Sequence, residues 1–356
     1  MGRFALLAEL LAGAALALAP GAGGDGGTAA PDERLVLAVI GTERSPSAVH
    51  GERAVVADPR TGELNAFVLP GGTLCHGRLM AVGERVIYSG HRGSKAMAMS
   101  LPLTLEGEPR SLGRADTITP STRPGRVWLG RSRHRGKRSR VAFREVAVKG
   151  AAAASRASGG SDSAKGGVAR GRAGSRASGW VPRWSAIHAA VPGGFVVERR
   201  SGLAVWDGER MEPLRGGRRA WPVASGDSGF AWCREPCRSV RVRTAAGERT
   251  LTPPGPLRLL GHGGAFSPDG RRLALPVTRR QRSRAAVIDR RTGEWSVVPG
   301  GRLSDYGAMA WSRSSNRLLL ATADGDLRAW RPGAPQAEVL PVDPGGTVMS
   351  IDVTGG

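Results

Sequence analysis

The chain is poor in several things that would each have announced a function. It has three cysteines in 356 residues, too few for a disulfide-dense scaffold. Aromatic residues make up only 5%. No stretch of 18 apolar residues runs without a charge, which excludes a polytopic helical membrane protein. Lysine is nearly missing: Lys95, Lys137, Lys149 and Lys165 are the only four among 52 basic residues. No glycine-rich loop ends in Lys-Ser or Lys-Thr, so a phosphate-cradling nucleotide site is not written here. No zinc-finger, helix-turn-helix or RNA-recognition pattern occurs. What is abundant is arginine, with 53 glycines and 24 prolines, and a net charge of +22. A GC-rich genome writes that composition by codon bias, so the charge is a weaker functional signal than its size. A hydrophobic content of 40% is enough for a packed core.

The first 33 residues differ from the rest. Arg3 precedes the apolar run 4–19, and Ala17-Leu18-Ala19 supplies a small-x-small cleavage pattern before Pro20. As a helix this run would span roughly 24 Å, less than the ~30 Å of a bilayer core. Glu9 inside it adds a further cost to membrane residence. Residues 1–19 therefore predict a signal peptide or membrane-associating segment, and the Gly- and Pro-rich residues 20–33 a tether. Any membrane association is expected through this segment alone.

From residue 34 onward a repeat organises the sequence. Short β-prone runs end in a polar residue and a turn: Ala54–Asp58, Leu203–Asp207, Ala286–Asp289 and Leu327–Arg331. Taking Ala57, Met99, Phe143, Trp206, Val242, Ile288 and Trp330 as equivalent gives steps of 42, 44, 63, 36, 46 and 42. A period near 42 is that of a four-stranded propeller blade. Two turns repeat almost verbatim, Asp58-Pro59-Arg60-Thr61-Gly62-Glu63 and Asp289-Arg290-Arg291-Thr292-Gly293-Glu294. The run Leu35–Ile40 opens the first unit at its second strand, and Thr347–Val353 is a lone strand after the seventh. The expected fold is all-β, a seven-bladed propeller over 34–356 closed by the C-terminal strand joining the first blade. A count of six stays open, because the second, third and fifth units are degenerate.

These residues resemble bacterial WD-repeat and TolB-like propellers. Phe266-Ser267-Pro268-Asp269-Gly270-Arg271-Arg272-Leu273-Ala274 follows their strand-turn-strand signature, and Trp206-Asp207 is the dipeptide itself. The resemblance implies a fold and carries little about activity.

Two features interrupt the repeat. Residues 150–179 hold almost no large apolar side chain and predict a disordered insertion between the third and fourth blades. Just before it, Arg131, Arg133, Arg135, Lys137, Arg138 and Arg140 predict an exposed basic hairpin, either a solvated loop written by codon bias or a contact for a polyanion. Aromatic interleaving for single-stranded nucleic acid is missing there, so nucleic acid is disfavoured as the partner. The other basic residues look scattered over turns, which makes the total charge background.

Candidate chemistry is sparse. Cys233 and Cys237 flank a hairpin tip and suit a disulfide if the backbone brings them together. Gly226-Asp227-Ser228-Gly229 copies a protease nucleophile motif but reads as a strand-connecting turn. Trp206, Trp295, Trp311 and Trp330 read as packing between blades. No catalytic, cofactor or metal residue is assigned. The expected function is a non-catalytic, exported or envelope-associated binding or scaffold propeller. It is read as a monomer whose partner is a protein or an anionic envelope polymer. The alternatives are an intracellular scaffold with a basic polyanion-contacting loop, and a hydrolase or lyase with its site at the channel mouth.

Overall fold

The structure is a computed structural model. It describes residues 33–41, 51–69, 79–92, 95–135, 138–148, 176–182, 186–191, 194–199, 201–207, 209–261 and 263–355. The segment 1–32, with its targeting expectation, lies outside them. Glu33, placed by its neighbours in the tether, is fully buried and belongs to the fold.

The described residues form seven antiparallel sheets, each one blade, in a ring. Blade 1 takes Thr347–Thr354 as its inner strand, then Arg34–Ile40, Glu52–Ala57 and Leu64–Val68. Blade 2 runs from Leu79–Val82 to Arg110–Arg114, and blade 3 from Thr117–Pro120 to Arg176–Pro182. Blade 4 spans Ala186–Val191 to Met211–Pro213, and blade 5 Ala220–Gly226 to Gly247–Leu251. Blade 6 has a split inner strand, Arg258–Leu259 and Ala265–Phe266, both paired to Arg272–Arg279. Blade 7 spans Met309–Trp311 to Glu338–Val339. The seven equivalent residues chosen from the repeat all fall on third strands.

Closure follows the sequence expectation. The last strand pairs antiparallel with Arg34–Ile40, from Arg34↔Thr354 to Ile40↔Thr347, with one bulge. Blade 1 is thus built from both ends of the described chain, and no blade edge faces an unmatched neighbour.

The second and third strands read as near-continuous apolar runs because both of their faces are buried. Successive side chains point to opposite faces, so one strand feeds two cores. Leu35, Leu37 and Val39 pack against Leu319 and Leu327 of blade 7. Val36 and Ala38, on the other face, pack against Val86, Tyr88 and Leu101 of blade 2. Every interface around the ring is filled in this way. Trp128 and Phe143 meet Phe195 and Trp206 between blades 3 and 4. Phe230 and Trp232 fill the next interface, and Trp311 and Trp330 fill that between blades 6 and 7. Trp295 is half-buried against the core of blades 5 and 6.

The repeated turns have repeated hydrogen bonds. Asp58 Oδ1 accepts the Arg60 N–H at 2.8 Å, and Thr61 Oγ1 accepts the Glu63 N–H at 3.2 Å. Asp289 Oδ1 accepts the Arg291 N–H at 2.9 Å, and Thr292 Oγ1 accepts the Glu294 N–H at 3.2 Å. An aspartate that caps its own turn competes with strand extension and fixes where the strand ends. Glycine is needed at the fifth position, where φ is +79° at Gly62 and +80° at Gly293.

The insertion sits elsewhere than its composition indicated. Residues 176–179 belong to the strand Arg176–Pro182, the outer strand of blade 3, paired from Arg144↔Arg176 to Arg138↔Pro182. Residues 149–175, outside the described residues, therefore connect the third and outer strands within blade 3 and do not join two blades. A low apolar content does not exclude an outer strand. Such a strand pairs through its backbone along one edge and has little core to fill.

Candidate functional site

Each blade is an up-and-down meander, so its turns alternate between the two ends of the ring. Neighbouring inner strands run parallel, as the bridge between Ala224 and Gly264 shows. Turns from inner to second and from third to outer strand therefore share one end, here called lower. Hairpins from second to third strand, and the crossings to the next blade, share the upper end.

This parity sorts the charge. At the upper end, Lys95 of blade 2 and Arg131, Arg133 and Arg140 of blade 3 are exposed. So are Arg234 and Arg238 of blade 5, and Arg279, Arg280 and Arg282 of blade 6. The crossing from blade 4 to blade 5 adds exposed Arg215, Arg218 and Arg219. Among the described residues this end holds fewer acids: Glu52, Asp116, Glu198, Glu212, Glu235, Asp305, Asp324, Asp326 and Asp343. At the lower end acids and arginines neutralise one another in the capped turns. Arg60 pairs with Asp58 at 3.1 Å and Arg271 with Asp289 at 3.0 Å. Among the described residues, the exposed basic side chains are therefore less scattered than the linear sequence shows. Residues distant in sequence share an end because strand parity puts them there.

The predicted basic hairpin is present as the junction of Arg126–Arg135 with Arg138–Ala147, in register from Arg138↔Arg135 to Ala147↔Arg126. Lys137 lies outside the described residues. Arg131 and Arg133 alternate along one strand and so emerge on the same side. Asp116 Oδ2 accepts the Ser132 N–H at 2.6 Å and anchors the strand between them.

Cys233 and Cys237 are joined as a disulfide with a Cα–Cα distance of 5.2 Å. Cys233, next to last in the second strand of blade 5, is fully buried, and Cys237 lies in the hairpin beyond it. The loop they close is the upper hairpin that carries Arg234 and Arg238.

A second constellation, missed in the sequence, lies at the lower end of the channel. Asp227 comes from the inner turn of blade 5, Arg313 from that of blade 7 and Asp352 from the closing strand of blade 1. Asp352 Oδ2 accepts the Ala81 N–H of blade 2 at 2.8 Å, and Oδ1 accepts its neighbour Val353 N–H at 2.8 Å. Arg313 Nε donates to Val353 O at 3.0 Å. Burial pushes the Asp352 carboxyl above its ordinary range, the Asp227 charge adds to this, and the two backbone donors and Arg313 oppose it. Burial also raises Asp227, against Arg313. Glu33, raised by burial against Arg317, joins them under blades 1 and 7. The sequence signal was only Gly-Asp-Ser-Gly in a turn. The partners lie 86 and 125 positions further on and meet only when the ring closes.

These shifts give a pH dependence of stability. A carboxyl whose folded value is raised contributes stability below its unfolded value, and loses it as pH rises through the folded one. Glu33, Asp227 and Asp352 therefore make the fold more stable in mild acid than at neutral pH. Asp58, held at about 2 chiefly by its Arg60 hydrogen bond, acts in the opposite sense. Its contribution is full above 3.8 and is lost as pH falls toward 2. Between pH 4 and 7, of the shifted carboxyls, only the raised ones act. The melting temperature is expected to fall across that window, and to fall less in Asp352→Asn. Equal slopes for the two proteins would refute the assignment to Asp352.

Among the described residues no group of three His, Cys, Asp or Glu side chains is placed to hold a metal, and no helix is long and apolar enough to cross a membrane. His188, on a bulge of the blade 4 inner strand, pairs with Glu198 at 2.7 Å.

No family model and no curated protein matches the chain. Solved structures do match. The β-propeller domain of the Trilobed protease from Pyrococcus furiosus is similar with a TM-score of 0.55 and 9% identity, over 88% of this chain and 93% of that one. AztD from Citrobacter koseri is similar with a TM-score of 0.51 and 11% identity, over 91% and 98%. The Pyrococcus horikoshii acylaminoacyl peptidase is similar with a TM-score of 0.54 and 11% identity, over 86% of this chain. This chain spans about half the length of that peptidase, covering 50% of it. At such identities the likeness shows the propeller fold alone.

Proposed function

We propose that the protein is a non-catalytic binding or scaffold propeller of the cell envelope or exterior, acting as a monomer, whose upper end binds an anionic envelope polymer. The observation that carries this reading is the concentration of exposed guanidinium groups on the upper hairpins and crossings, against fewer acids. Clustered like charge raises the local concentration of an opposite polymer and speeds its capture. Kinship with WD-repeat and TolB-like propellers belongs to the same proposal and rests on the Phe266–Ala274 run.

The test is binding to dextran sulfate at increasing salt. Wild type is expected to bind, with affinity falling steeply as salt rises. Replacing Arg131, Arg133, Arg135, Lys137, Arg138 and Arg140 by glutamine is expected to weaken binding at least tenfold and flatten the salt dependence. The melting temperature should stay near wild type, because Arg131, Arg133 and Arg140 are exposed. Undiminished binding would sink the reading, as would nanomolar, salt-steep binding to duplex DNA.

Export is supported by the Cys233–Cys237 pairing, since disulfides persist in oxidising compartments. Protein isolated from its native host without reductant should yield one free thiol after denaturation. Three free thiols would contradict export.

A further inference from the structure

The crossing from blade 6 to blade 7 lines a cavity that the basic hairpin of blade 3 does not share. From its geometry we infer a discrete site there for a phosphate monoester dianion. The inference rests on the upper-end reading and narrows it to one ligand group.

The cavity has a volume of about 560 Å³ and is walled by Arg282, Arg284 and Arg302 around the Gly300-Gly301 backbone. Arg328 of blade 7 lies beside the glycine pair. Its Nη1 lies 3.3 Å from where a Cβ on Gly300 would stand, and its Cζ 3.8 Å from that of Gly301. Side chains at these two positions would fill the space in front of the guanidinium. Glycine keeps it open and lets a ligand reach the backbone.

The backbone of the crossing is fixed before any ligand arrives. Leu303 N–H donates to Ser283 O, and Ser283 Oγ donates back to Leu303 O at 2.9 Å, tying the crossing to blade 6. On its other side, Ala323 N–H donates to Arg302 O at 2.8 Å, and Ser304 N–H to Ala321 O at 3.0 Å, tying it to blade 7. Arg284 donates to Gly300 O, which holds its guanidinium against the cavity wall. Preorganised donors bind without the ordering cost of mobile ones.

Charge selects the ligand class. Three guanidinium groups line the cavity against one carboxylate, Asp305, paired with Arg302 at 3.3 Å, while the neighbouring Arg328 is paired with Asp326 at 3.0 Å. Two positive charges are left uncompensated. Arg282 is exposed and has no hydrogen bond or ion pair among the described residues. The Arg328 Nε is buried without a hydrogen-bond partner. A phosphate monoester carries about −1.5 to −2 at neutral pH and accepts the planar guanidinium fork in bidentate fashion. The cavity is far larger than a bare oxyanion and falls within the ~300–1,000 Å³ of small-molecule sites. The phosphate is therefore one end of a larger group, either a small metabolite or the terminal unit of a polymer.

The experiment is calorimetric titration of the full chain at constant ionic strength with glycerol 1-phosphate, dimethyl phosphate and sodium sulfate. Glycerol 1-phosphate is expected to bind saturably at one site, at least tenfold tighter than the diester. The double variant Arg282→Gln, Arg302→Gln should weaken it at least tenfold with an unchanged melting temperature. The glutamine variant of the blade 3 hairpin should bind it as wild type does. No saturable binding overturns the site, as does equal affinity for monoester and diester, or an unaffected double variant. A phosphate-terminated glycan that binds tighter than glycerol 1-phosphate through the same arginines identifies a polymer end, and equal affinity identifies a small ligand. Loss of the site with dextran sulfate binding intact overturns this inference alone. Loss of dextran sulfate binding with the monoester site intact overturns only the broader reading.

Discussion

Deleting residues 346–356 is expected to abolish cooperative folding of the whole ring. The strand Thr347–Thr354 is the inner strand of blade 1, and its removal strips a full ladder from Arg34–Ile40. Val348, Ile351 and Val353 leave the core shared by blades 7 and 1. Burying side chains of this kind is worth about 1.5–3 kcal/mol each. Each ladder hydrogen bond adds roughly 1 kcal/mol. Asp352 also stops holding Ala81 of blade 2, and Arg313 of blade 7 loses Val353 O. The combined loss is comparable with the ~5–15 kcal/mol that separates most folded domains from their unfolded state. The truncated chain should melt without a cooperative transition or fail to stay soluble. A circular permutant joining Gly355 to Glu33 supplies the converse result. Thr354 and Arg34 are already paired, so a short link makes an ordinary hairpin and the permutant should fold. A truncated protein melting within about 2 °C of wild type would show that the ring does not depend on its closing strand.

The second large effect is expected at Trp206. This side chain is buried to 1% exposure, 6.0 Å from the ring of Phe195 and 6.1 Å from that of Phe143. Phe143 and Phe195 stack at 4.3 Å, and Trp128 meets Phe195 edge-on at 5.3 Å. Four rings thus do at this interface what aliphatic side chains do at most others. Trp206→Ala should destabilise by about 3–5 kcal/mol, since rigid rings cannot collapse into the cavity left behind. That corresponds to a drop in melting temperature on the order of 10 °C. Trp295→Ala is the control. Trp295 is half-buried on a short outer strand, so about 1 kcal/mol is expected. If the two variants melted alike, the interface between blades 3 and 4 would not have the role assigned to it.

Both effects were in part legible from the linear sequence. Trp206 ends an apolar run before a self-capping aspartate, and that local pattern recurs every 42 or so residues. The lone run Thr347–Val353 was matched to the gap before Leu35 by counting strands. The basic hairpin was equally local, being two strands and a short turn.

Three things were not legible, each for a physical reason. The end of the insertion was misjudged because an outer strand is held by backbone hydrogen bonds, which leave no apolar signature at Arg176–Gly179. Asp227, Arg313 and Asp352 come from blades 5, 7 and 1, and nothing near any of them in sequence records the others. The charge looked scattered because sequence distance does not show which turns share an end of the ring.

The sequence by itself determined the blade pattern, the third-strand positions, the turns and the closing strand. These depend on alternation, β-propensity and turn chemistry, which act over a few residues. The tertiary structure alone decided that, among the described residues, exposed basic side chains gather toward one end, and that Arg282, Arg284 and Arg302 share a cavity beside Arg328. Those facts depend on strand parity and on packing blade 6 against blade 7. Both are properties of the closed ring and of no single segment.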